Sequence, residues 1–206
     1  MSVPTSTFSG HLDALAARWP DATLLIDQDQ RIGAAQLRAR SRALAAGLAR
    51  IGVRPGHRVA VWLPNCAAWV ESFLACAHLG ALVLAVNTRF RALEVADILG
   101  RGQADWLVFW PGFKGIDFQG ILDGVAPGQL TRLQGVVALT AADEACPAAI
   151  AGKPAHRYAD LLATDTPPPA PHGNAGVLCF TTSGTTSKPK FLSLIHISEP
   201  TRQEAI

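Results

Sequence analysis

Residues Thr181-Thr182-Ser183-Gly184-Thr185-Thr186-Ser187-Lys188-Pro189-Lys190 follow a short apolar run, Val177 to Phe180. The pair reads as a buried strand and the turn that leaves it, the unit from which α/β sheets are built. The turn concentrates hydroxyl side chains, one glycine and two lysines. Glycine lets a backbone approach a ligand closely and adopt positive φ. Successive N–H groups in such a turn form an anion-binding concavity. Hydroxyls add donors, and lysine adds a mobile point charge suited to phosphate. The chemistry fits a polyphosphate. A Walker loop, G-x-x-x-x-G-K-[ST], is excluded because no second glycine-lysine pair follows Gly184 at the required spacing. A nucleophile elbow, G-x-S-x-G, is absent too, which removes Ser183 as a hydrolase serine.

The order Thr182-Ser183-Gly184-Thr185-Thr186-x-Lys188-Pro189-Lys190 closely resembles the phosphate loop of adenylate-forming enzymes, [YF]-T-S-G-[ST]-T-G-x-P-K-G. Ser187 replaces a glycine of that pattern and Phe191 stands where another is usual, so this loop is stiffer than its kin. Two upstream stretches carry the same resemblance: Gly52 to Asn65, and Leu79-Gly80-Ala81 through Val86-Asn87-Thr88-Arg89-Phe90 to Glu94. Together the matches run in order over roughly residues 10–190. The resemblance implies an α/β fold, mostly a parallel sheet flanked by helices, and ATP-dependent activation of a carboxylic acid through an acyl-adenylate. It implies ATP, Mg²⁺ and coenzyme A, with the acyl-CoA synthetase branch favoured and a fatty or related acid as substrate. In the loop, Gly184 permits the tight turn. Thr182, Ser183, Thr185 and Thr186 donate to the β- and γ-phosphates, Lys190 offsets their charge, and Lys188 is a second cation. The family's acyl pocket, ribose-binding aspartate and catalytic lysine lie further downstream, so no catalytic residue is assigned here. The alternatives are another acid class within the superfamily, or a non-catalytic nucleotide-binding or interaction module ending at residue 206.

Leu192 to Arg202 resembles, residue for residue, the translation of a transposase-based sequencing-library adapter. The expectation is therefore that 192–206 is not native sequence, that His196 and Glu199 carry no function, and that the chain is the inactive front part of a longer enzyme. On that reading the strand Val177–Phe180 lacks its partner strands.

The apolar fraction of 49% is ample for a core, yet no run approaches the length of a membrane span. Met1 to Thr5 lacks the layout of a signal peptide. A net charge of +2, with no basic stripe, argues against a nucleic-acid partner. Four cysteines without C-x-x-C spacing read as reduced thiols in a cytoplasmic protein.

Strands and helices alternate along the chain. Helices are predicted over Leu12–Arg18, Ala34–Ile51, Leu93–Leu99 and Phe118–Val125, the last capped by Asp117. Another follows Pro64-Asn65, with Val70, Phe73, Leu74 and Ala77 on one stripe and a stop at Gly80. Strands are predicted over Thr23–Asp27, Arg58–Trp62, Leu82–Val86, Trp106–Trp110 and Val136–Leu139. Pro167, Pro168, Pro169 and Pro171 make 164–175 a linker. The expected division is 1–163, the linker 164–175, a truncated second unit 176–191, and the tail 192–206.

Other candidates carry less. The six histidines stand singly, without metal-ligand spacing. Glu94 and Asp97 read as a solvated helix face. Trp106 to Phe113 reads as a buried strand with a wet end. Asn87 and Arg89 fall at the carboxyl end of a strand, where they either meet a ligand or hold the turn.

Overall fold

Val59 and Val61 point to one side of their strand, Ala60 and Trp62 to the other, and all four are buried. That double burial sets the architecture, because a parallel sheet must be covered on both faces. A computed structural model describes residues 7–141, 144–163, 168–170, 178–182 and 190–194. In chain order the elements are α1 (Phe8–Arg18), β1 (Thr23–Asp27), β2 (Gln30–Gly33), α2 (Ala34–Ile51), β3 (Arg58–Trp62), α3 (Ala67–Leu79), β4 (Leu82–Ala85), α4 (Ala92–Arg101) and β5 (Trp106–Phe109). There follow α5 (Phe118–Asp123), β6 (Gly135–Ala138), β7 (Ala149–Ile150), β8 (Lys153–Arg157), α6 (Tyr158–Leu162), β9 (Leu178–Thr182) and β10 (Lys190–Leu194).

Eight strands form one sheet in the order β10-β9-β4-β3-β5-β6-β8-β7. Its inner pairings are all parallel; only β10 on β9 and β7 on β8 are antiparallel. Helices α2, α3 and α6 cover the face of Val59, Val61 and Val83. Helices α4 and α5 cover the face of Ala60, Trp62 and Leu84. The fold is the α/β architecture expected from the sequence. β9 returns to pair with β4 through Val83↔Leu178 and Leu84↔Cys179, and β10 lies on its other side. The strand leading to the hydroxyl-rich turn therefore has partners on both edges, contrary to the expectation that it stands alone.

Local chemistry explains most boundaries. Gly80 ends α3 in the left-handed conformation (φ 72°), which a Cβ would strain. Asp117 accepts the Gly120 N–H at 2.7 Å and caps α5. The α3 stripe of Val70, Phe73 and Leu74 turns away from the sheet, against α1 and the β1–β2 hairpin. Ala75, Cys76 and Leu79 meet the strands instead. The helix is thus sandwiched between two layers, which a single apolar stripe does not reveal.

The helical layer is closed by a buried polar knot. Glu71, with no exposed surface, accepts Arg40 Nε at 2.5 Å, Arg40 Nη2 at 3.2 Å and the Tyr158 hydroxyl at 2.8 Å. One carboxylate thereby ties α2, α3 and α6 together. Beside it, Gly47 of α2 packs directly on α6; a methyl group there would sit 2.8 Å from Leu161 Cα and collide with its carbonyl oxygen. Gly47→Ala is therefore expected to destabilise the fold by about 1–3 kcal/mol through overpacking. Urea unfolding checks this, and an unchanged midpoint would refute the close helix contact.

Candidate functional site

Parallel strands β3, β4, β5 and β9 all present their carboxyl ends on one edge. The chain leaves β3 towards α3 on one face, but leaves β4 and β5 towards α4 and α5 on the other. Neighbouring strands whose connections diverge in this way open a crevice at the carboxyl edge, where open α/β sheets bind ligands. The hydroxyl-rich turn begins on that edge. Thr182 ends β9 and Lys190 begins β10 as paired residues, so the two residues that flank 183–189 meet at this edge. Ser183, Gly184, Thr185, Thr186 and Lys188 lie outside the described residues. For Thr182 and Lys190 the structure describes the backbone.

The neighbouring turn after β4 is fully engaged. Trp62 Nε1 donates to the Asn87 carbonyl at 3.1 Å, and Asn87 Oδ1 accepts the Arg89 N–H at 2.9 Å. Glu94 Oε2 accepts the Arg91 N–H at 3.0 Å and starts α4. Of the two readings of Asn87, the turn-holding one has these contacts behind it. Asp97 pairs with Arg101 at 2.7 Å along α4, an exposed helix-face pair. Asp27 reaches from β1 to accept the Ala67 N–H at 2.7 Å, so a carboxylate already occupies the amino end of α3. Burial pushes the Cys76 thiol up to about 12 and raises Cys179, and both are free cysteines. Neither is an activated nucleophile. Among the described residues no group of histidines, cysteines and carboxylates could hold a metal ion, and no helix is long and apolar enough to cross a membrane.

Three buried polar residues escaped the sequence reading, and all serve position. Glu71 is the knot already described. Asp105 is buried between the amino ends of β3 and β5, where it accepts the Arg58 N–H and Arg132 Nε, each at 2.8 Å. His78 accepts from Ser9 Oγ at Nδ1 (2.9 Å) and donates from Nε2 to the Pro169 carbonyl (2.8 Å). A carbonyl can only accept, which fixes that neutral tautomer. His78 so links α1, α3 and the proline-rich stretch. A charged residue inside an apolar helical run, as at Glu71, is the one signal that pointed to any of them.

Residues 12–197 match the AMP-binding enzyme family, and the chain belongs to it. A 3-[(3aS,4S,7aS)-7a-methyl-1,5-dioxo-octahydro-1H-inden-4-yl]propanoyl:CoA ligase of Mycobacterium tuberculosis is 42% identical over 120 residues, covering 58% of this chain and 24% of that protein. The mitochondrial medium-chain acyl-CoA ligase of Pongo abelii is 30% identical over 202 residues, covering 90% of this chain and 32% of that one. Among solved structures, the acetoacetyl-CoA synthetase of Streptomyces lividans superposes with a TM-score of 0.76 at 25% identity, over 91% of this chain and 30% of the synthetase. The chain thus spans about a quarter to a third of the length of these proteins.

Burial holds the His78 imidazole below its ordinary 6.5, the nearby Arg42 and Arg38 lower it further, and the Pro169 carbonyl and Asp13 oppose the shift. The unfolded chain then takes up a proton at a higher pH than the folded one. Stability is accordingly constant above that value and falls as the pH drops through it. Denaturant titrations between about pH 7 and about pH 5 should show this loss, and His78→Gln should flatten the slope. An equal slope in the variant would contradict the assignment.

Proposed function

We propose that the whole protein is an AMP-forming acid–thiol ligase of the acyl-CoA synthetase type, working in the cytoplasm on a fatty or related carboxylic acid. The observation that carries this reading is a family-type phosphate motif whose flanking residues, Thr182 and Lys190, pair at the carboxyl edge of a parallel sheet. The names of the matched ligases support the same class of reaction.

In this reading the backbone around Gly184 wraps the β- and γ-phosphates of ATP, and Thr182, Ser183, Thr185 and Thr186 supply hydroxyl donors. Lys190, with Lys188 beside it, balances the phosphate charge. The substrate carboxylate attacks the α-phosphorus, pyrophosphate leaves, and the thiol of coenzyme A takes the acyl group from the adenylate. Fixed donors at the departing pyrophosphate act through positioning and charge neutralisation, which dominate such transfers. Mg²⁺ accompanies ATP in this scheme, and no described residue is assigned to hold it. Residues 164–175 serve as the linker that brings the chain back to β9. The acyl pocket and the catalytic lysine belong to sequence beyond the loop.

ATP–pyrophosphate exchange by the protein read from the uninterrupted gene tests this, using carboxylic acids of increasing chain length. Exchange should require an acid, and Lys190→Ala should lower kcat/KM for ATP about 100-fold. The 206-residue chain alone should give none. ATP binding without exchange for any acid would favour the non-catalytic module instead.

A further inference from the structure

The strand that carries the phosphate motif outruns its neighbour in the sheet. β9 pairs with β4 only through Leu178 and Cys179, but with β10 along its whole length, Leu178–Thr182. Phe180, Thr181 and Thr182, which lead into the motif, therefore have β10 as their one strand partner among the described residues. β10 is itself the edge strand of the sheet. The tip of this ribbon is thus two strands wide, and two strands by themselves are marginally stable in water. Donors that grip a phosphate must be held in place. The tip calls for a support besides its own ladder.

Phe191 provides one. It pairs with Thr181 and directly follows Lys190, the last residue of the motif. Its half-buried side chain packs on the apolar cluster that includes Leu84, Ile98 and Cys179. The ring also meets the end of α4, where the Arg101 guanidinium carbon stands 4.6 Å from the ring centroid. Gly102 leaves room for this approach, since a Cβ there would come within 3.2 Å of Phe191 Cζ. The cation is held in turn by Asp97, whose carboxylate accepts Arg101 Nη2 at 2.7 Å and Nε at 3.1 Å. The helix is a firm base, because Val95, Ile98 and Leu99 are buried. The phosphate loops that this motif resembles carry glycine at the position of Phe191, and glycine can make none of these contacts.

We infer that Phe191 is a positioning residue for the phosphate motif. It fastens the returning end of the loop to α4 through Arg101 and Asp97, and so fixes the ribbon tip on which the phosphate donors stand. The inference rests on the ATP site proposed above. Phe191 touches no phosphate itself and acts through the backbone of β10.

Titration of the chain with ATP, followed by the amide resonances of β9, β10 and α4, tests this. The ring-current shift of the Gly102 amide should disappear in Phe191→Leu with or without nucleotide, which reports the contact independently of the ATP site. Phe191→Gly, which installs the usual residue of the motif, should weaken ATP binding by about ten-fold or more. Phe191→Leu keeps an apolar group and Arg101→Gln removes the charge over the ring; each should weaken binding by about two- to five-fold. Phe191→Tyr should bind as the natural chain does. Gly47→Ala, which strains the helices on the other face of the sheet, should leave ATP affinity unchanged and so separates positioning from loss of stability. Equal ATP binding by the natural chain and by Phe191→Gly, or an equal loss in Gly47→Ala, would overturn the inference and leave the ATP site standing. No ATP binding by the natural chain would overturn the ATP site and this inference with it.

Discussion

A parallel sheet tolerates water on neither face, and this constraint organises the molecule. Because β3, β4 and β5 are buried on both sides, the connections between them must travel as helices over one face or the other. The directions diverge around β3, the arrangement that places ligand sites of open α/β sheets at the carboxyl edge. β9 completes the arrangement by pairing with β4, which delivers the hydroxyl-rich turn to the same edge. The position of the candidate site thus follows from the burial of apolar strands, before any ligand is considered.

The buried polar residues fit within that constraint. Glu71 and Asp105 are carboxylates with almost no exposed surface, and each is met by an arginine and a further donor. Buried ion pairs add little net stability, since desolvation offsets most of the attraction. Removing one partner is costly, however, because the other stays buried and unpaired. The effect is to fix registry. Glu71 sets α2 and α6 against α3, Asp105 sets the amino ends of the strands, and His78 holds α1 and Pro169 to the end of α3. Among the described residues, the indole N–H of Trp106 is the buried side-chain group that breaks this rule.

Much of this was legible in the sequence where one physical signal dominated. Apolar runs gave β3, β4 and β5, and the Leu37, Leu44, Leu48 periodicity gave α2 over Ala34–Ile51. Elements without such a signal were missed. β2 is Gln-Arg-Ile-Gly, a mostly polar strand held by its hairpin pairing with β1 and by the single buried side chain of Ile32. β8 carries Pro154 and α6 is a single short turn of helix, so both depend on tertiary packing. The stripe of Val70, Phe73 and Leu74 showed one buried side of α3, and the second, through Ala75, Cys76 and Leu79, was not legible because a sandwiched helix is buried on two sides. The motif of residues 182–190 was read from its chemistry and its resemblance, whereas its location needed the β9–β4 pairing, which joins residues nearly a hundred positions apart.

The central claim is that this motif grips nucleotide phosphates at the carboxyl edge. Backbone amide shifts of the chain titrated with ATP test it most directly. The account predicts saturable changes concentrated in residues 181–191 and in the adjacent turn after β4, displaced by pyrophosphate. Shifts that spare those residues, or appear only around other surfaces, would contradict it.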